Sequence, residues 1–255
     1  MLPLRDRLPT RRVPVVNYLL LIANIAVFVW ERGLIQAGVS PRRLVNAWGL
    51  VPERFFDNPI AEAVTVFSSM FMHDPTGWFH LGGNMLFLWI FGDNVEDALG
   101  SIRYLFFYLL SGICAAAAQI LIDPSSQIPM VGASGAISGV LAAYGSLYPR
   151  AAVTVLNPIP LLWFFFGIFL EFPAWVVILE YFVMNLLNGL GSLGAQTGGV
   201  AFFAHLGGFV AGLLLVRVFL TGRTVVEHPR WQQWRSPRHP RAPVRRPRGG
   251  GPWEW

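Results

Sequence analysis

The 255-residue chain predicts an all-α, polytopic membrane protein: a six-helix transmembrane bundle with an interfacial first outer loop. Three observations carry this. The chain is 54% hydrophobic and only 13% charged, where a soluble domain carries about 25% charge, and its mean hydropathy is +0.51. Six apolar runs approach the ~20 residues needed to cross ~30 Å of hydrocarbon. All 19 basic residues are Arg, and 15 of them fall on one side of the membrane that six crossings would define.

The elements follow in order. Residues 1–12 read as a cytoplasmic N-terminal segment holding Arg5, Arg7, Arg11 and Arg12. No small-residue cleavage site follows the first apolar run, so it reads as a retained span. The membrane domain covers 13–220, with spans at about 14–30, 78–95, 103–122, 133–149, 173–190 and 199–220. The second and fourth are short and contain Gly, which suits helices packed inside a bundle. Residues 31–77 interleave charges with aromatic residues and predict an interfacial, partly helical loop. Residues 151–172 read either as interfacial or as an extension of the fifth span. Residues 221–255, rich in Arg, Pro and Trp, predict a disordered cytoplasmic tail. Cys114 lies in an apolar run and reads as a buried, inert thiol.

The Arg bias puts both termini in the cytoplasm of a cell whose inner membrane the protein spans. The starts of spans two, four and six then share the outer half of the membrane. Each carries a polar motif: His80 with Asn84, Ser134, and His205. Such residues are costly in a bilayer and mark function by default.

Gly132-Ala133-Ser134-Gly135 sets a serine at a helix N-terminus, where free N–H groups and the dipole favour developing negative charge. Gly135 and Gly139 form a GxxxG face. His205, Gly208 and Gly212 share one face of the sixth span; pairing the two faces brings His205 to Ser134 as a general base. His80 and Asn84, four residues apart, can both donate to one point beside the Ser134 N–H, an oxyanion hole. The plainer readings stay open: Ser134 as a packing residue, His205 as a tie between helices, and His80 with Asn84 as caps. A metal site would need His73, His80 and His205 without the HExxH pattern, so no metal is expected. Glu96 reads as an anchor near Arg103, and Glu180 faces either the bundle or water. No GxGD motif is present, and no second intramembrane Asp could complete an aspartyl dyad.

HLGGNMLFLWIFGDNVEDALG (80–100), GASGAISGV (132–140) and AHLGGFVAG (204–212) resemble the three signature regions of the rhomboid intramembrane serine proteases. Their order and placement are similar to the six-helix bacterial form, over roughly 13–220. The resemblance implies Ser134 as nucleophile and His205 as base of a dyad without a third carboxylate. It implies an oxyanion site of His80, Asn84 and the Ser134 backbone, with Gly132, Gly208 and Gly212 structural near the site. Two departures stand out. The first loop lacks the Trp-Arg pair of many relatives. Ser138 stands where well-studied members have an aromatic residue stacked on the histidine, so another group must orient His205.

The expected function is an intramembrane serine endopeptidase that cleaves in or near transmembrane segments of membrane proteins, without metal or cofactor. Substrate would enter laterally near span five and the Gly-rich loop 191–198. One alternative is an inactive relative that binds or escorts membrane proteins; another is a small channel relying on Glu180. The partners are membrane-protein substrates and the lipid bilayer, with anionic lipid at the Arg-rich tail favoured over nucleic acid.

Overall fold

The computed structural model describes residues 1–192 and 201–222. The tail beyond 222, and all but the first two residues of the 191–198 loop, lie outside them. In chain order the elements are β1 (Leu2–Asp6), α1 (Val15–Gln36), α2 (Pro41–Trp48), α3 (Pro52–Asp57), α4 (Pro59–Ser68), α5 (Phe79–Leu99), α6 (Ser101–Ile122), α7 (Ser134–Leu147), β2 (Ala152–Leu156), a 3₁₀ turn (Pro160–Leu162), α8 (Trp163–Phe166), β3 (Phe169–Pro173), α9 (Ala174–Ser192) and α10 (Phe202–Phe219).

A helix lies at each of the six predicted span positions. Four are long and apolar enough to cross a membrane: α1, α6, α9 over Ala174–Gly191, and α10. The other two differ for physical reasons. Helix α7 has only 14 residues, and α5 carries Asp93, Glu96 and Asp97 near its end. Glu96 turns out to cap a helix. Its carboxylate accepts the N–H groups of Val16 and Asn17, at 3.1 and 2.7 Å, in the first turn of α1, where intrahelical partners are missing. Ser101 Oγ donates to it at 2.6 Å. Nearby, the Arg103 guanidinium donates to the carbonyls of Phe219 and Thr221, at and just past the end of α10.

Helix α7 is the axis of the bundle. Gly135 through Tyr144 are all buried, against α5, α6 and α10. The glycine faces meet as the sequence pattern implies. A Cβ added to Gly208 would land on the Gly135 carbonyl, and one on Gly212 would land on the Gly139 carbonyl. No residue but glycine permits backbones this close.

The first loop is partly helical. Helices α2, α3 and α4 each begin with Pro, whose missing N–H costs nothing at that position. Arg54 ties this loop together. It donates to the carbonyls of Asn46 and Gly49 and pairs with Glu62 at 3.1 Å.

The all-α expectation needs correction at the opposite end, where β1, β2 and β3 form an antiparallel sheet in that order. Ala152–Leu156 is rich in β-branched residues and wholly or partly buried, as a central strand demands. Pro3 sits on edge strand β1, beside a register shift between Pro3 and Arg5. Residues 2–6 thus form a strand within the N-terminal segment, and 151–172 is not an extension of α9. It is two strands around a short helical turn with Phe164, Phe165 and Phe166 exposed. Asp6 ends β1 by accepting Tyr144 Oη at 2.6 Å and Asn94 Nδ2 at 3.1 Å. Burial and the nearby Asp93 outweigh these bonds and push its carboxyl up to about 7. Cys114 is exposed rather than buried, because Gly112 and Ala115 turn the other face of α6 toward the bundle.

Candidate functional site

The site lies at the end of the bundle away from the sheet. Its first component is the turn into α7. Gly132 has φ +130°, a conformation that side chains resist, and its N–H donates to the Ser69 carbonyl at 2.8 Å. A Cβ there would sit 2.9 Å from the His80 ring. Gly132 is thus fixed by its backbone angle and by what approaches it. Two residues on, Ser134 opens α7, where its N–H has no partner within the helix.

The second component is His205, in the first turn of α10. Its Nε2 lies 2.7 Å from Ser134 Oγ. Gly208 and Gly212, stacked on the α7 carbonyls, set this spacing. The other ring nitrogen, Nδ1, lies 2.5 Å from Asn185 Oδ1 of α9. Asn185 Nδ2 in turn donates to the Tyr181 carbonyl at 2.8 Å. The Tyr181 ring flanks His205 at 6.2 Å between centroids, and its hydroxyl bonds Ser138 Oγ at 2.7 Å. Ser138 also donates to the Ser134 carbonyl at 2.7 Å. The aromatic residue absent at 138 is supplied by the neighbouring helix, and a serine there leaves room for it.

The third component is the start of α5. His80 Nδ1 accepts the Asp74 N–H at 3.3 Å, which leaves the proton of a neutral ring on Nε2, the nitrogen beside Gly132. His73 packs edge-on against His80 at 5.2 Å. Burial, then the His80 charge, push the His73 ring down to about 4, so it is neutral at pH 7. Asn84 is 8% exposed, and among the described residues its Nδ2 has no hydrogen-bond partner. A buried amide donor left unmatched costs about 1–3 kcal/mol; an acceptor that arrives with a ligand would recover this.

A cleft of about 520 Å³ joins these parts, lined by Ser69, Asp74, His80, Gly132, Ser134 and His205 among others. All four predicted polar residues therefore gather at one end of the bundle, Asn84 buried one turn below His80 rather than on the cleft wall. Sequence reasoning missed Asn185, Tyr181 and Asp74. A signal for the first two existed: a tyrosine and an asparagine four residues apart in an apolar run share a helical face, and a buried amide in such a run is costly. Glu180, the residue singled out there, instead pairs with the Met1 amine at 2.8 Å.

Residues 61–222 match the Rhomboid domain family. Rhomboid protein 1, mitochondrial, of Saccharomyces cerevisiae is 28% identical over 205 residues, 77% of this chain and 51% of that protein. Rhomboid protease AarA of Providencia stuartii is 30% identical over 160 residues, 58% of this chain and 52% of that protein. Rhomboid protease GluP of Bacillus subtilis is 45% identical over 64 residues, 25% of this chain and 12% of that protein. The chain spans about half the length, or less, of these relatives.

Proposed function

From the premise that this chain belongs to the rhomboid family, we propose that it is an intramembrane serine endopeptidase cleaving peptide bonds in or near the transmembrane segments of other membrane proteins. The observation that carries this is Ser134 Oγ at 2.7 Å from His205 Nε2. Ser134 Oγ attacks the scissile carbonyl while its proton passes to His205 Nε2; the C–N bond breaks as the imidazolium returns that proton to the leaving amine. Water, deprotonated by the same nitrogen, then releases the acyl group. The oxyanion is held by His80 Nε2–H, Asn84 Nδ2 and the Ser134 N–H.

In this reading all six helices of 13–220 cross the membrane, with both termini cytoplasmic and the cleft open to the outer side. The Arg-rich residues beyond 222 attract anionic lipid. Substrate enters beside α9, whose Leu179, Val183, Met184 and Leu187 are exposed apolar residues. Its helix must unwind at the cut, so helix-breaking residues are expected there.

The test is cleavage of a tagged model transmembrane substrate by the purified protein in liposomes, wild type beside Ser134→Ala and His205→Ala. Cutting by wild type alone, with both variants folded, supports the dyad. Cutting that survives Ser134→Ala refutes it. Wild type that neither cuts nor reacts with an active-site serine probe points to an inactive relative that binds membrane proteins.

A further inference from the structure

We propose, resting on that reading, that Asn185 is a positioning residue for His205, so that α9 supplies the groups that aim the base. The geometry leaves little choice of roles. Asn185 Nδ2 donates to the Tyr181 carbonyl, so Oδ1 is the atom that faces His205. Oδ1 only accepts, and at 2.5 Å the Nδ1 opposite it must carry the proton. In the other tautomer two lone pairs would face each other at that distance. Nε2 is then unprotonated and aimed at Ser134 Oγ, 2.7 Å away. This is the only neutral form able to take the serine proton.

Tyr181, one turn earlier on α9, holds the ring from the side and is itself tied to α7 through Ser138. Three helices therefore each contribute one part: α7 the nucleophile, α10 the base, α9 its orientation. The choice of amide over carboxylate fits the setting. A buried Asp at 185 would add an uncompensated charge among apolar helices; the amide oxygen fixes the tautomer while remaining neutral. Asn185 is 8% exposed and touches no reacting atom, so its effect passes through His205.

The first readout is on the unaltered protein in detergent, by long-range ¹H–¹⁵N spectra of histidine-labelled material with His205→Ala as the assignment control. The expected signal is a neutral His205 protonated at Nδ1. A ring protonated at Nε2 would overturn the proposal. The second compares wild type with Asn185→Leu and Asn185→Asp, reading kcat, KM and the rate of a fluorophosphonate probe on Ser134. Asn185→Leu is expected to lower kcat and labelling roughly 10-fold, the loss of one hydrogen bond to the ring, with KM little changed. Asn185→Asp is expected to keep most labelling and to move the acid limb of the kcat profile to higher pH, because an anion beside the ring favours the imidazolium. Unchanged rates in Asn185→Leu, or an Asp variant as slow as the Leu variant with an unmoved acid limb, would reduce Asn185 to packing. If Ser134→Ala retains cleavage, the dyad reading itself has failed; if only the Asn185 variants behave as wild type, that reading stands and the positioning role falls.

Discussion

Helix α7 meets α10 and α9 in two different ways. Toward α10 it presents bare backbone: Gly208 and Gly212 lie on the carbonyls of Gly135 and Gly139. Toward α9 it presents side chains joined by hydrogen bonds, Ser138 to Tyr181, and the path continues through Asn185 to His205. The first contact has no slack, since any added atom collides with a carbonyl. The second is made of rotatable groups worth about 0.5–1.5 kcal/mol each. The distance between Ser134 and His205 is thus set by rigid packing, and the orientation of the histidine ring by adjustable contacts.

The comparison can be broken most severely on the rigid side. Gly208→Leu is expected to prevent folding or to abolish Ser134 labelling. Gly208→Ala lowers stability by about 1–3 kcal/mol as the helices separate. Thermal unfolding alongside probe labelling reads both. Next comes the oxyanion side, where Asn84→Ala should lower kcat by ~10²–10³ with KM nearly constant; a loss confined to KM would assign Asn84 to substrate binding instead. On the adjustable side, Tyr181→Phe keeps the ring and removes the bond to Ser138, so a loss of only a few-fold is expected, with Tyr181→Leu clearly worse. Equal rates in the two variants would remove the ring from the account.

The last test concerns the sheet end and reads stability rather than activity. The Asp6 carboxyl is raised to about 7 in the fold from an unfolded value near 3.9. An acid with a raised pKa is disfavoured when ionised. Its penalty is absent below about pH 4, grows as pH rises, and is complete above about 7. Stability should therefore decline over that window, and Asp6→Asn should flatten the decline. An unaltered pH slope in the variant would show that Asp6 does not govern it.

What was legible in the sequence was whatever repeats locally. Ser134 between glycines, and His205, Gly208 and Gly212 at helical spacing, announce their partners because each motif lies within one or two turns. Asn185 and Tyr181 carry the same kind of signal, but their meaning depends on which helix they face, and that is a tertiary fact. Glu180, adjacent in sequence, drew notice because it is charged. The strands were hidden for another reason. Each has five residues, β1 contains a proline, and β3 runs straight into α9, so β1 reads as part of a cytoplasmic segment and β2 and β3 as an interfacial stretch or an extension of the fifth span. Glu96 shows the same limit: an acid near a helix end suggested an arginine, and the group it satisfies is the exposed backbone at the start of α1.

Helix α9 is the element beside which substrate is proposed to enter, and it also holds the base. A protein in which the door carries the aim has a built-in order of events. An outward swing of α9 would draw Asn185 and Tyr181 away from His205, which would stay beside Ser134 but lose the group that fixes its tautomer while the way in is open. On the proposed reading, full reactivity would return only when α9 settled back around a segment that had stayed. Passing lipids and briefly visiting helices would meet a disarmed centre, and selectivity would come from how long a segment remains as much as from how well it fits.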